Sequence, residues 1–199
     1  MLIGICGGIG SGKSVVSRIL RLRGFAVYDC DLEAKRLMDE SEEVLSALNR
    51  RFGDEVCPEK GPIDRKRLAG HVFSSDDHRV WLNQLVHGLV RRDVEQWSRE
   101  REAERRDCFV ESAIIASSGL AGMCDEIWLV CAPQEQRMAR VKGRDGLSAG
   151  SILARIRSQE EELNLLSRID VKVRRIDNGD TDSLLRQLTL KDSTFASES

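Results

Sequence analysis

One short stretch, Gly7-Gly8-Ile9-Gly10-Ser11-Gly12-Lys13-Ser14, limits what this chain can fold into more than any other feature. It fits the pattern G-x-x-x-x-G-K-[ST], a loop that wraps nucleotide phosphates. Glycines let the backbone curl until successive N–H groups converge on the phosphates, and the helix that follows adds the positive end of its dipole. A lysine at position 13 bridges the β- and γ-phosphates, and the Ser14 hydroxyl is placed to ligate Mg²⁺. A plain glycine turn would match the pattern only by chance, and the setting argues against that. Leu2 to Cys6 is a short apolar run, and Ser14 to Leu22 carries apolar residues at helical spacing before stopping at Gly24. Strand, phosphate loop and helix follow one another as the loop requires, so ATP and Mg²⁺ are the expected ligands.

The rest of the chain continues the same alternation. Phe25 to Tyr28 predicts a second buried strand ending in Asp29-Cys30-Asp31, with a helix over Leu32 to Met38. Such a βαβ unit implies a parallel sheet with its ligand at the carboxyl ends of the strands. From Glu42 to about Arg106 no strand is evident: Val44, Leu45, Leu48 and Phe52 share one helical face, and Leu82, Leu85, Val86, Leu89 and Val90 share another. This predicts a helical insertion between two strands. Phe109-Val110 and Ile127 to Val130 read as the third and fourth strands, separated by the small-residue segment Ala113 to Gly122. Two charged helices, Arg137 to Arg144 and Ser148 to Leu163, meet at Asp145-Gly146. Val171 to Ile176 is the last strand, a final helix lies near Leu184 to Leu190, and the polar tail Asp192 to Ser199 is expected to fray.

A length of 199 residues suits a single domain. The net charge of −2 offers no bulk attraction to nucleic acid or acidic membranes, so an anionic ligand must be held by a local cluster of cations. Six cysteines without a C-x-x-C pair or metal-ligand spacing read as reduced thiols. No apolar run approaches a membrane span, and the amino terminus opens on a strand rather than a charged leader, which together predict a cytoplasmic protein. The oligomeric state is left open, with a monomer compatible.

Three groups of side chains are candidates for chemistry. Asp31, at the end of the second strand, is placed either to accept the proton of an attacking hydroxyl or to cap the helix that follows. Arg137, Arg140 and Arg144 recur on one helical face, either as a lid over ATP phosphates or as a solvated surface. His87 lies beside an apolar stripe, where a satisfied core histidine is the default reading.

Taken together, these residues resemble the dephospho-coenzyme A kinase family from about Leu2 to Gln159. The phosphate loop and Tyr28-Asp29-Cys30-Asp31 are similar to the family's opening. The insertion is more discriminating: Arg65, Leu68 and Phe73 match the family spacing, and Leu82-Asn83-Gln84-Leu85-Val86-His87 matches its L-N-x-x-x-H-P, with Gly88 in place of the proline. Nucleoside and shikimate kinases share the phosphate loop without this insertion. Glu111 to Leu120 is similar to a family stretch D-x-P-L-L-F-E-S-G-L, with Ser117 in place of an acidic residue. Pro133, Glu135, Arg140, Arg144, Asp145, Arg155-Ile156 and Gln159 match the lid, and Asn178-Gly179 matches the adenine-side loop.

The resemblance implies a P-loop fold with a five-stranded parallel sheet flanked by helices. It implies a nucleotide core (about 1–31, 107–136 and 168–191), an acceptor-binding helical subdomain (about 32–106) and a lid (about 137–167). It further implies transfer of the γ-phosphate of ATP to the 3′-hydroxyl of dephospho-CoA. In that scheme Gly8, Gly10, Ser11, Gly12, Lys13, Ser14 and Val15 cradle ATP with Arg140, Arg144 and Asn178, and Ser14 holds Mg²⁺. Asp31 is the base, Lys13 and Arg140 serve the transfer, and Arg65, His87 and Glu111 join Asp31 on the acceptor side. Two other readings compete: a kinase for a different small molecule, and a nucleotide-binding protein without transfer.

Overall fold

The structure, a computed structural model, describes residues 1–58, 61–145, 150 and 160–188, with the side chains of Arg144 and Asp145 outside that set. Its centre is β1 (Leu2–Gly7), all six residues of which are buried. A strand buried on both faces needs neighbours on both edges, and β1 has them: β3 (Cys108–Glu111) on one side and β4 (Glu126–Cys131) on the other. Addition of β2 (Ala26–Asp29) and β5 (Lys172–Asp177) at the edges gives the order β2-β3-β1-β4-β5, all parallel. The predicted five-stranded parallel α/β sheet is the one observed. Because every strand runs the same way, Gly7, Asp29, Glu111, Cys131 and Asp177 end at one edge of the sheet.

Each face of the sheet buries its own apolar cluster, as a doubly covered parallel sheet must. On one face Val16 and Leu20 of α1 (Lys13–Leu22) pack on Ile3, Ile5, Phe109, Trp128 and Ile176. On the other, Val90 and Val94 of α5 (Asp76–Ala103) and Leu37 of α2 (Cys30–Glu40) pack on Tyr28, Val110, Ile115 and Ile127. Between them lie α3 (Glu42–Phe52) and α4 (Arg65–Ser74), which with part of α5 enclose a third cluster around Val44, Leu48, Val56, Cys57, Ile63 and Leu68. The predicted strand-free insertion is therefore present and has a core of its own. No helix among the described residues is long and apolar enough to cross a membrane, and all six cysteines are free thiols.

Helix starts follow side-chain chemistry. Ser41, Asp64 and Ser75 cap α3, α4 and α5 by accepting amide protons of the first turn. The helix after β2 begins at Cys30 rather than at Leu32 as predicted, because Asp29 caps it. After β4 comes α6 (Gln134–Asp145), which spans the predicted Arg137 to Arg144 helix. Most of the predicted Ser148 to Leu163 helix, including Arg155-Ile156 and Gln159, lies outside the described residues, as do the Asp145-Gly146 junction and the tail Asp192 to Ser199; residues 160–166 are helical. The final helix is described over Leu184–Gln187.

Candidate active site

The phosphate loop curls between β1 and α1 as its glycines allow. Gly10 has φ +74° and Gly12 φ +99°, the left-handed region that L side chains rarely adopt. Space is as restrictive as torsion: a Cβ on Gly12 would stand 2.1 Å from Asn178 Nδ2. Ser11 N donates to Gly8 O at 3.1 Å, and Val15 N and Val16 N both donate to Gly12 O, which joins the loop to the first turn of α1. Inside the curve Lys13 Nζ donates to Gly7 O at 2.8 Å and Gly8 O at 3.4 Å. Burial pulls its pKa below the ordinary lysine value, Glu111, Cys6 and Asp31 oppose the shift, and Arg137 adds to it. Ser14 is exposed at the second position of α1, and its hydroxyl makes no hydrogen bond with any described residue. Val15 beside it is 48% exposed.

Two other segments close on this loop. Arg137 Nε of α6 donates to Ile9 O at 2.9 Å, and Arg140 donates to Asn178 O at 3.0 Å and, at the limit of a hydrogen bond, to Gly10 O at 3.5 Å. The solvated-face reading of these arginines is therefore wrong for Arg137 and Arg140, which lie against the loop backbone. Arg144 lies outside the described side chains. Asn178 follows β5 and is fixed by its own N–H to Cys131 O; its Nδ2 donates to Ser11 O at 2.7 Å. Helix α6, the end of β5 and the phosphate loop form one connected backbone-to-side-chain network.

Carboxylates gather at the neighbouring strand ends. Asp29 and Glu111 are paired across β2 and β3, so two acidic side chains terminate adjacent strands. Asp29 Oδ1 accepts from the amides of Asp31 and Leu32, both at 3.1 Å. The cap is thus Asp29, which corrects the alternative that assigned capping to Asp31. The Asp31 carboxylate is exposed, makes no hydrogen bond with any described residue, and lies close enough to Lys13 to favour the charged ammonium. Glu111 has its pKa raised, first by burial and next by the Asp29 charge; Lys13 and Arg21 pull the other way. The buried Ser17 hydroxyl also favours the ionised carboxylate by proximity, without reaching hydrogen-bond geometry.

The remaining predicted residues belong to the insertion. Arg65 opens α4 and places Nη2 2.8 Å from each carboxylate oxygen of Asp39. It makes no contact with the phosphate loop, so the structure does not bring it together with Lys13 and Glu111. His87 is half-buried on α5, and its ring makes no hydrogen bond with the described residues. Burial and Arg91 lower its pKa, with Glu162 opposing, so near neutrality the ring is an uncharged donor or acceptor rather than a cation. Two residues of this neighbourhood escaped the sequence reading. Arg91, one helical turn beyond His87, donates to Ser118 O at 2.7 Å; the shared face of α5 was a usable signal. Glu162 reaches the turn after β3 from a distant segment, and no local pattern announces it.

Residues 1–182 match the protein family described as Dephospho-CoA kinase. The chain belongs to that family. The dephospho-CoA kinase of Porphyromonas gingivalis is 46% identical over 163 residues, covering 82% of this chain and 79% of that protein. A crystal structure of a Thermus thermophilus protein superposes with a TM-score of 0.70 at 34% identity, covering 96% of this chain and 98% of the other. A dephospho-CoA kinase from Campylobacter jejuni has the same fold, with a TM-score of 0.67 at 24% identity and coverage of 94% and 92%. The resemblance carried by the insertion Arg65 to His87 is borne out at the level of family, and with it the assignment to ATP-dependent kinases.

Proposed function

We infer that this chain transfers the γ-phosphoryl group of ATP to the 3′-hydroxyl of dephospho-CoA, giving ADP and CoA. One observation carries the reading beyond family membership: Glu111 ends β3 beside Asp29 at the end of β2, Asp31 stands in the first turn of α2, and Lys13 of the phosphate loop lies close enough to Glu111 and Asp31 for their charges to favour its ammonium form. A γ-phosphate held by Lys13 and the loop amides would meet an acceptor hydroxyl held on the carboxylate side. The acceptor oxygen attacks phosphorus, the bond to the β-phosphate oxygen breaks, and the hydroxyl proton passes to Asp31. Such a transfer depends mostly on alignment and charge neutralisation, so it asks little of the base.

Roles follow from position. Gly8, Gly10, Ser11, Gly12, Lys13, Ser14 and Val15 hold the triphosphate, with Arg137 and Arg140 over the loop and Asn178 at its adenine-side edge. Glu111 and His87 orient the acceptor beside Asp31. Arg65 serves acceptor phosphates by exchanging its exposed partner Asp39, an exchange that costs little because exposed ion pairs are weak. In this reading residues 1–31, 107–136 and 168–191 act as nucleotide core, 32–106 as acceptor subdomain and 137–167 as lid.

The residues also fit Mg²⁺. The exposed Ser14 hydroxyl, unpartnered among the described residues, is a hard oxygen in the first turn after the phosphate loop, and no described group of three acidic, histidine or cysteine side chains forms a dedicated cage. That sparse set suits an ion held mainly by phosphates and water. Bound there, Mg²⁺ would neutralise charge on the β- and γ-phosphates.

The test is ADP release by the purified chain with Mg·ATP, with and without dephospho-CoA. Release dependent on dephospho-CoA is expected. Equal turnover of a nucleoside monophosphate or shikimate would show a different kinase, and ATP binding without release would show a nucleotide-binding protein.

A further inference from the structure

Glu162 lies in the helical residues 160–166 and projects its carboxylate onto the turn that follows β3. Its Oε1 accepts the Ala116 amide proton at 2.5 Å and the Ser117 amide at 3.3 Å, and Oε2 also stands 3.3 Å from the Ser117 amide. The Ser117 hydroxyl supplies no acid to this turn; it points back to Ile114 O at 3.5 Å. The turn is bound on its other side to α5, where Arg91 Nη1 donates to Ser118 O, and it starts at Ser112, whose amide donates to Ile5 O of β1. Glu162 also borders a small cleft with Gly7, Gly8, Ala113, Ile115 and Leu166, at the entrance of the phosphate loop. One carboxylate therefore holds the turn next to Glu111, adjoins the first glycines of the loop, and shares that turn with Arg91 of α5, which binds it at Ser118 O.

We propose that Glu162 is a positioning residue for the acceptor: by clamping the Ala116-Ser117 turn it fixes Arg91 and His87 relative to Glu111 and the phosphate loop. This rests on the kinase reading above. The Ala116 amide is buried with its residue, so loss of the carboxylate leaves it without a partner and favours a rearranged turn. Small displacements of positioning groups are expensive in phosphoryl transfer because alignment carries most of the catalysis. Glu162 borders Gly7 and Gly8 across the cleft but directs its hydrogen bonds to the Ala116-Ser117 turn and, among the described residues, makes none to Lys13, α6 or Asn178, so the main effect falls on the acceptor.

The experiment compares the full-length chain with Glu162→Ala and Glu162→Gln. The alanine variant should raise KM for dephospho-CoA about tenfold with KM for ATP unchanged. Glutamine keeps an oxygen acceptor and should recover most of the loss. Amide exchange, read by NMR independently of activity, should accelerate at Ala116 and Ser117 in the alanine variant and remain slow in the glutamine variant. Unchanged exchange at both amides overturns the contact. Equal increases in both KM values, or a lower melting temperature with acceptor KM unaltered, overturn the positioning role. Absence of dephospho-CoA turnover in the unmodified chain would instead sink the functional reading, while the exchange measurement would still judge the clamp.

Discussion

Asp29 accepts the amide protons of Asp31 and Leu32, so the Asp31 carboxylate is relieved of capping duty and available to a substrate. The two acids should therefore separate cleanly by mutation. Asp29→Ala should cost about 1 kcal/mol of stability, read by thermal unfolding. Asp31→Asn should leave the melting temperature in place and lower turnover about a hundredfold, a typical share for a proton acceptor. A variant at Asp31 that melts earlier yet keeps its specific activity would return Asp31 to a structural role. Glu111 gives a prediction with a pH sign. Burial raises its folded pKa above the ordinary 4.5, so the folded chain holds this proton more tightly than the unfolded one. Stability from this group is therefore present below pH 4.5 and lost as pH rises through the folded value. Removal of the charge with Glu111→Gln should raise the melting temperature at neutral pH, and the gain should shrink to nothing below pH 4.5. The same variant should lose turnover if the carboxylate, kept at a cost in stability, serves the acceptor as proposed. A gain independent of pH would show that desolvation of Glu111 is not its source.

At the scale of elements, the phosphate loop is held from outside by two others, α6 through Arg137 and Arg140 and the end of β5 through Asn178. Gly12→Ala attacks that junction twice, by forcing a left-handed backbone on alanine and by driving its Cβ into Asn178. Calorimetric titration should show ATP binding at least about tenfold weaker, the equivalent of roughly 1–2 kcal/mol. The double variant with Asn178→Ala should recover only part, because the torsional strain remains; wild-type affinity in Gly12→Ala would show that the junction is slack. The loop itself was legible in the sequence because every requirement is local: glycines, lysine and hydroxyl within one turn, an apolar run before and an amphipathic run after. Strand and helix identities were legible for the same reason, through periodicity. What holds the loop was not. Arg137 and Ile9 are 128 positions apart, and Glu162 is 46 positions from Ala116, separations over which no spacing rule operates. The capping alternative for Asp31 fails for another reason: Asp29 and Asp31 both stand near the start of the same predicted helix, and only the backbone at Asp29, extended at φ −98° and ψ 103°, decides between them. Parallel pairing followed from the βαβ order, whereas the placement of β3 between β1 and β2 depends on packing across the whole sheet.

Across the whole molecule, the apolar interior of the described residues is divided between two clusters on the faces of the sheet, one inside the insertion and a small one around Val141 where α6 meets Ile9 of the phosphate loop. If the insertion holds the acceptor as proposed, that division makes the acceptor side separable from the ATP side in energy as well as in space. Leu48 is fully buried in the third cluster, on the face of α3 that meets α4 and α5, and touches neither sheet cluster. Leu48→Ala should remove roughly 2–5 kcal/mol of packing from the insertion alone. Because locally destabilised units open without the rest of the chain, amides in α3 and α4 should lose exchange protection while those of β1 and β4 keep theirs. In kinetics the same variant should raise KM for dephospho-CoA and leave ATP affinity close to wild type, since Lys13 and Asn178 follow β1 and β5 of the sheet and α6 is bound to the phosphate loop, all outside the insertion cluster. The long helix α5 sets the limit of this independence, because Val90 and Val94 pack on the sheet while Leu82 and Leu85 pack on the insertion cluster. If exchange accelerates in β1 and β4 to the same extent as in α3, α5 transmits the loss and the insertion is not a separate folding unit. If protection falls only in the insertion, the chain binds its two substrates on parts of different stability, and the acceptor half is the one that yields first.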